Sequence, residues 1–216
     1  MQIGPLWLLA GLLVLSGCGG KHLQAITEPE IEDHVLEPVI LVPFKTLDRS
    51  PEGMGLQDMD SRAIRFLTEN LEQKLRAMDV EVLLAPASPG GQQQETTLSD
   101  MISAEAENLG RQHHAPVALF GYISAYAERE GSPLGIKRPA SVDFSLFLIE
   151  TKGGTALWEA RYHETQKSLF EDIMDFPSFF KRGGRWVTAD ELAGTGLDGI
   201  LEQSPWKRRK KEAPEP

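Results

Sequence analysis

"PVILVPF", residues 38–44, is a short apolar run bounded by prolines, and its neighbours decide the fold. Four to eight continuous apolar residues between turn formers are the pattern of a strand buried on both faces. After a loop at 48–58 containing Pro51, Gly53 and Gly55, the period changes: Ile64, Leu67, Leu71, Leu75 and Met78 recur at three and four residues, one apolar stripe of a helix. Glu81-Val82-Leu83-Leu84 then reads as a second strand, so the order is strand, helix, strand with short joints, the βαβ unit of a parallel sheet.

Working outward, residues 86–97 are rich in Gly and Gln and read as a flexible excursion. A second helix follows, with Ser99 or Asp100 as its cap and Ile102, Ala106 and Leu109 as its inner face, ending at 110–114. "PVALFGYISAYAERE", 116–130, is expected as one long strand. In "SVDFSLFLIET", 141–151, Val142, Phe144, Leu146 and Leu148 share a face, and Lys152-Gly153-Gly154 makes a tight hairpin into "TALWEARYHETQ". The expected architecture is a single α/β domain: a mixed sheet of about five strands, β-α-β-α-β then antiparallel β-β, with flanking helices. Residues 168–201 complete it as two short helices around the loop 181–185, Thr188 capping the second.

The chain has 216 residues and one cysteine. Cys18 closes "LLVLSGCGG", and the apolar run before it, about 13 residues from Ile3, is too short for a stable bilayer-crossing helix. It reads as the apolar core of an export signal, although the segment before it, Met1-Gln2, has no Lys or Arg. Leu15-Ser16-Gly17-Cys18 resembles a bacterial lipobox. The resemblance implies cleavage before Cys18 and acylation of its thiol, and two acyl chains anchor stably where one is marginal. Gly19, where an Asp retains many Gram-negative lipoproteins at the inner membrane, implies the periplasmic face of the outer membrane. With no second cysteine, no intrachain disulfide is available, so the fold must rest on its core.

The expected organisation is a signal peptide at 1–17, a lipidated cysteine and flexible tether at 18–37, the α/β domain at 38–204 and a basic disordered tail at 205–216. The tether, with Glu28, Glu30, Glu32 and Asp33, would reach at most about 65 Å when extended. Net charge is −10 even though Lys207-Arg208-Arg209-Lys210-Lys211 is wholly basic. The rest is therefore strongly acidic, which argues against nucleic acid as a partner. The basic run could touch lipid phosphates near the anchor.

The segments "VILVPFKTLD" and "GRQHHAPVALFGYI", with the helices and strand between them, are similar to a periplasmic α/β domain. That domain is shared by the curli-secretion lipoproteins, the lipoprotein activators of penicillin-binding proteins and the N-terminal domain of the Tol-Pal propeller protein. "RPASVDFSLFLIETKGGTALWEARYHETQKSL" and "FFKRGGRWVTADELA" look like a narrower group of bacterial lipoproteins using it. This chain lacks the additional long hairpins of a curli-type pore, and its tether is shorter than those typical of the activators.

Catalytic patterns do not assemble. Ser178-Phe179-Phe180-Lys181 matches S-x-x-K, but no K-T-G triplet exists and Ser99-Asp100 is followed by Met101. His113, His114 and His163 complete no metal-ligand spacing, and the Gly-Gly pairs lack phosphate-loop contexts. No cofactor and no enzymatic activity are expected. Phe179, Phe180, Lys181, Arg182, Arg185 and Trp186, with Phe176, have a composition enriched at protein interfaces. The same aromatics could instead cover the sheet, leaving the charges solvated. The expected function is a non-enzymatic envelope lipoprotein that binds an unidentified envelope protein, its oligomeric state open. The alternatives are an enzyme acting on envelope material or a small-molecule or lipid carrier.

Overall fold

In a computed structural model of the chain, the residues described are 21–28, 31–47, 61–86, 97–132, 135–165 and 187–212. Among these residues nine strands run β1 His22–Thr27, β2 Val39–Leu41, β3 Lys45–Thr46, β4 Val82–Leu84, β5 Val117–Ala127, β6 Glu130–Ser132, β7 Gly135–Arg138, β8 Ser141–Glu150 and β9 Ala156–Thr165. Four α-helices are described: α1 Ser61–Ala77, α2 Leu98–His113, α3 Ala189–Glu202 and α4 Pro205–Glu212. The main sheet has the order β1-β9-β8-β5-β2-β4, with β3 also paired to β5. β2 lies parallel to both β4 and β5, whereas β5, β8, β9 and β1 pair antiparallel in turn. The single mixed α/β domain is thus present, with more strands than the sequence pattern resolved. β6 and β7 form a separate antiparallel hairpin between β5 and β8, so the strand expected to run unbroken over 116–130 ends at Ala127.

The two halves of the sheet are covered differently. Val39, Ile40 and Leu41 of β2 are all fully buried, because α1 packs on one side and α2 on the other. The α1 stripe delivers Leu67, Leu71 and Leu75 to the larger core, which they share with Phe144, Leu146, Leu148, Trp158, Tyr162 and the α3 residues Leu197 and Ile200. Gly196 of α3 is where the helix meets β9: a Cβ there would stand 2.5 Å from the Tyr162 ring, so the close approach requires glycine. On the opposite face α2 seals a smaller core with Ile102, Ala106 and Leu109 against Phe120, Tyr122 and Ile149.

Local signals account for the element ends. Thr188 caps α3, its hydroxyl accepting from Glu191 N–H while the Glu191 carboxylate accepts from Thr188 N–H, at 3.2 and 3.0 Å. The α2 cap is Thr97 and neither Ser99 nor Asp100: Asp100 N–H donates to the Thr97 hydroxyl at 3.2 Å. The β8–β9 hairpin turns through Gly153 and Gly154 at φ 99° and 66°, a left-handed conformation that glycine adopts without strain.

Both chain ends depart from expectation. Residues 22–27, read as tether, are an edge strand in register with β9 from His22 opposite His163 to Thr27 opposite Trp158. Its alternation sends Leu23 and Ala25 to the core, and Ile31 and Leu36 farther on are buried as well. Acidic residues marked the segment as solvated, but Leu23, Ala25, Ile31 and Leu36 have core positions to fill, while Ile26 and Val35 stay exposed. The basic tail is likewise no free coil over 205–212. Trp206 is 4% exposed, and the Arg209 guanidinium donates to the carbonyls of Ile31, Glu32 and His34 at 2.8, 3.1 and 2.6 Å. Arg208 reaches the Thr27 hydroxyl at 2.9 Å. The basic helix α4 therefore clasps the N-terminal segment at the Thr27 end of β1, about 17 Å along the strand from His22.

Candidate functional site

Cys18 and the six residues of the aromatic and basic patch, Phe179, Phe180, Lys181, Arg182, Arg185 and Trp186, lie outside the described residues, as does Ser178. The histidines are separated. His113 and His114 end α2, with His114 in a left-handed cap conformation whose N–H donates to the Gly110 carbonyl. That end abuts Thr151 just after β8, whereas His163 faces Asp143 eight residues earlier, so the two histidine positions sit near opposite ends of β8. Among the described residues no group of three His, Cys, Asp or Glu side chains is arranged to hold a metal ion.

Register brings a different set together. The helix that packs chiefly on β9 and β1 is α3, on the core face, and α2 on the other face reaches β5 and β8. Among the described residues no helix covers the rest of the α2 face, and every second residue of its strands points there. From β8 come Asp143 and Ser145, from β9 His163 and Arg161, and from β1 His22 and Gln24. These form two cross-strand rows, Asp143–His163–His22 and Ser145–Arg161–Gln24. Between them is an open depression of about 230 Å³ lined by His22, Gln24, Arg161 and His163.

Asp143 organises the depression from below. Its side chain is only 10% exposed, yet it accepts from Arg161 Nε at 3.1 Å and from Nη2 at 2.6 Å, a bidentate pair that fixes the guanidinium plane. The hydrogen bond to Asp143 raises the Arg161 pKa, so the charge is held on a side chain that remains 44% exposed. Arg161 Nη1 has no part in that pair and is left for other acceptors. His163 Nδ1 is buried 3.3 Å from Asp143 Oδ2 without making a hydrogen bond, so Nε2 is the ring nitrogen placed to serve a ligand. A guanidinium held in a fixed plane, with imidazoles and an amide beside it, is equipped to bind an acceptor.

Sequence reasoning took His163 as a strand residue and passed over its partners. The signal was in "WEARYHE", where Glu159, Arg161 and His163 alternate with buried residues, and in "HLQAI", whose identical alternation was read as linker. Only the antiparallel register joins the two.

No family model matches the chain, and no curated protein matches it. Solved structures do. PelC from Paraburkholderia phytofirmans, solved as a dodecamer, aligns at TM-score 0.51 and 16% identity over 84% of this chain and 95% of that one. A single-substitution variant of the same dodecamer aligns at TM-score 0.50 and 15% identity, covering 83% and 96%. Lipoprotein GNA1162 from Neisseria meningitidis aligns at TM-score 0.39 and 14% identity over 68% of this chain and 98% of that one, too loosely to establish a common fold. At such identities the PelC likeness is one of fold, and the conclusion it carries is that this chain has the PelC-like α/β fold.

Proposed function

We propose that the chain is a lipoprotein anchored through Cys18 to the periplasmic face of the outer membrane, where it acts as a non-enzymatic assembly module of the cell envelope. The observation that carries this reading is the distance between lipobox and body. β1 begins at His22, so only three residues lie between it and Cys18, four steps that span at most about 14 Å. Acyl chains on Cys18 would hold the sheet itself against the bilayer, which suits a component fixed in an assembly better than one reaching across the periplasm. The fold it shares with a protein solved as a dodecamer favours copies of itself as assembly partners. The finer membership expected from sequence, in the curli-secretion, activator and Tol-Pal group, belongs to the same reading.

The small-molecule carrier fits less well, because the depression of about 230 Å³ lies below the ~300–1,000 Å³ of ordinary ligand pockets. Crosslinking the lipidated protein in its own membranes tests the proposal. Species at integral multiples of the chain mass, lost together with fatty-acid labelling in Cys18→Ser, are expected. A monomer that turns over a peptidoglycan or lipid substrate would overturn it.

A further inference from the structure

We infer that the depression formed by His22, Gln24, Arg161 and His163 is a phosphate site that docks the body onto phospholipid headgroups of the membrane carrying its anchor. The inference rests on the acylation of Cys18 proposed above. Its position is the first argument: His22 and Gln24 are four and six residues from Cys18, so the depression stands at the end of the sheet that an anchor would bring to the bilayer. The basic helix α4, the part of the sequence best suited by composition to lipid phosphates, is bound at the other end of β1.

Chemistry is the second argument. Arg161 is held in a fixed plane by a buried carboxylate and keeps unspent N–H groups, the arrangement that suits bidentate recognition of phosphate. Asp143 is already paired with Arg161, so its carboxylate is occupied. Glu159, the next carboxylate along this face after Asp143, pairs with Ile26 and Phe147, two residues farther from Cys18 than the Gln24–Arg161 pair. A phosphate arriving from the His22 end therefore meets the donors first. Size selects a single group: the volume is too small for a drug-sized ligand. Because the chain carries net charge −10, diffuse attraction to an anionic surface is absent and docking requires such a local site. A short tether makes weak intrinsic affinity sufficient, since it presents headgroups at an effective concentration of about millimolar.

Histidine labelling reads the site directly. The lipidated full-length protein is reconstituted into vesicles of phosphatidylglycerol with digalactosyl diacylglycerol, and in parallel into vesicles of the phosphate-free galactolipid alone. Both are treated with diethyl pyrocarbonate and digested for mass spectrometry. His22 and His163 should be labelled at least about threefold less in the phospholipid vesicles, while His34, His113 and His114 stay unchanged, as occupancy by a tethered headgroup requires. Gln24→Glu, which sets a carboxylate opposite Arg161 at an exposed position, should abolish the difference without moving the unfolding midpoint.

Equal labelling of His22 and His163 in the two vesicles would overturn the proposal. So would full protection on galactolipid vesicles by inorganic phosphate at about 1 mM, a concentration comparable to the tethered headgroup's, since the occupant would then be the free ion. The Cys18 peptide in the same digests reports its acyl mass independently. An unmodified Cys18 therefore counts against the anchor, separately from what the histidines show.

Discussion

The β2–β4 side of the sheet and the β9–β1 side are built from the same alternation of side chains but are covered differently. On the first, helices close both faces, and the strand residues Val39, Ile40 and Leu41 are buried without exception. On the second, α3 closes one face and no described helix covers the other, so Trp158, Ala160 and Tyr162 fill the core while Glu159, Arg161 and His163 alternate outward. Two-sided burial leaves no position for polar chemistry, because each polar group would need a partner inside. One-sided burial leaves every second residue free to carry it. The site-forming part of this fold is therefore the half whose strands look least like core.

The sharpest test compares the two faces of one strand. Phe144 is fully buried, edge-on to Phe44 with ring centroids 6.0 Å apart, and Phe144→Ala should cost about 3 to 5 kcal/mol. Its neighbour Ser145 points to the open face, so Ser145→Ala should be nearly neutral in the same denaturant titration. Comparable losses from both would erase the distinction.

The next effect comes from pH. Burial first, and then the negative charge of Glu105, push the Tyr122 phenol up to about 12, and burial likewise raises Tyr126 and Tyr162 above the ordinary tyrosine value. The unfolded chain releases these protons near pH 10 while the folded chain keeps them. The associated stability is fully present below pH 10 and is lost as pH rises toward the folded value. For Tyr122, 6% exposed, the loss between pH 10 and 12 is about 3 kcal/mol. Tyr122→Phe should remove that portion of the alkaline loss, and an unchanged alkaline profile would contradict it.

The clasp at the far end of β1 is worth less. Arg209→Ala removes a charged donor from three carbonyl contacts, two of them partly buried, and should cost about 1 to 2 kcal/mol, with α4 exchanging its amides faster than α3. On the open face, Gln24→Glu should shift stability by no more than about 0.5 kcal/mol, since exposed positions away from caps and cores tolerate change. A loss as large as that of Phe144→Ala would mean that this face is packed against something.

Legibility follows the same division. The buried elements announce themselves: the apolar run at β2, the three-and-four spacing of α1, the Gly-Gly hairpin and the Thr188 cap are all local signals. β1 is not so marked. "HLQAIT" carries two core residues, Leu23 and Ala25, between exposed ones, and beside an acidic stretch that pattern resembles a linker until a partner strand supplies a register. The candidate site was hidden for the same reason, since its four lining residues come from strands more than 130 positions apart. The basic helix was misread because composition reports charge and is blind to three backbone carbonyls waiting at 31–34. Short strands such as β3 and β6, two and three residues long, are below what periodicity resolves.

The pairing of residues 22–27 with β9 both places the site and shortens the reach from Cys18. Amide hydrogen exchange on the full-length lipidated protein measures it most directly. Glu28 N–H donates to the Leu157 carbonyl at 3.0 Å, so by two-residue alternation Ile26 and Gln24 also face β9, while Leu23 and Ala25 present their N–H groups to the outer edge. Gln24, Ile26 and Glu28 should exchange at least about a thousandfold more slowly than an unstructured chain, with Leu23 and Ala25 much faster than their neighbours. Exchange of all these amides at unstructured rates would mean that the segment is a tether after all, and would contradict both the placement of the site and the short reach to the membrane.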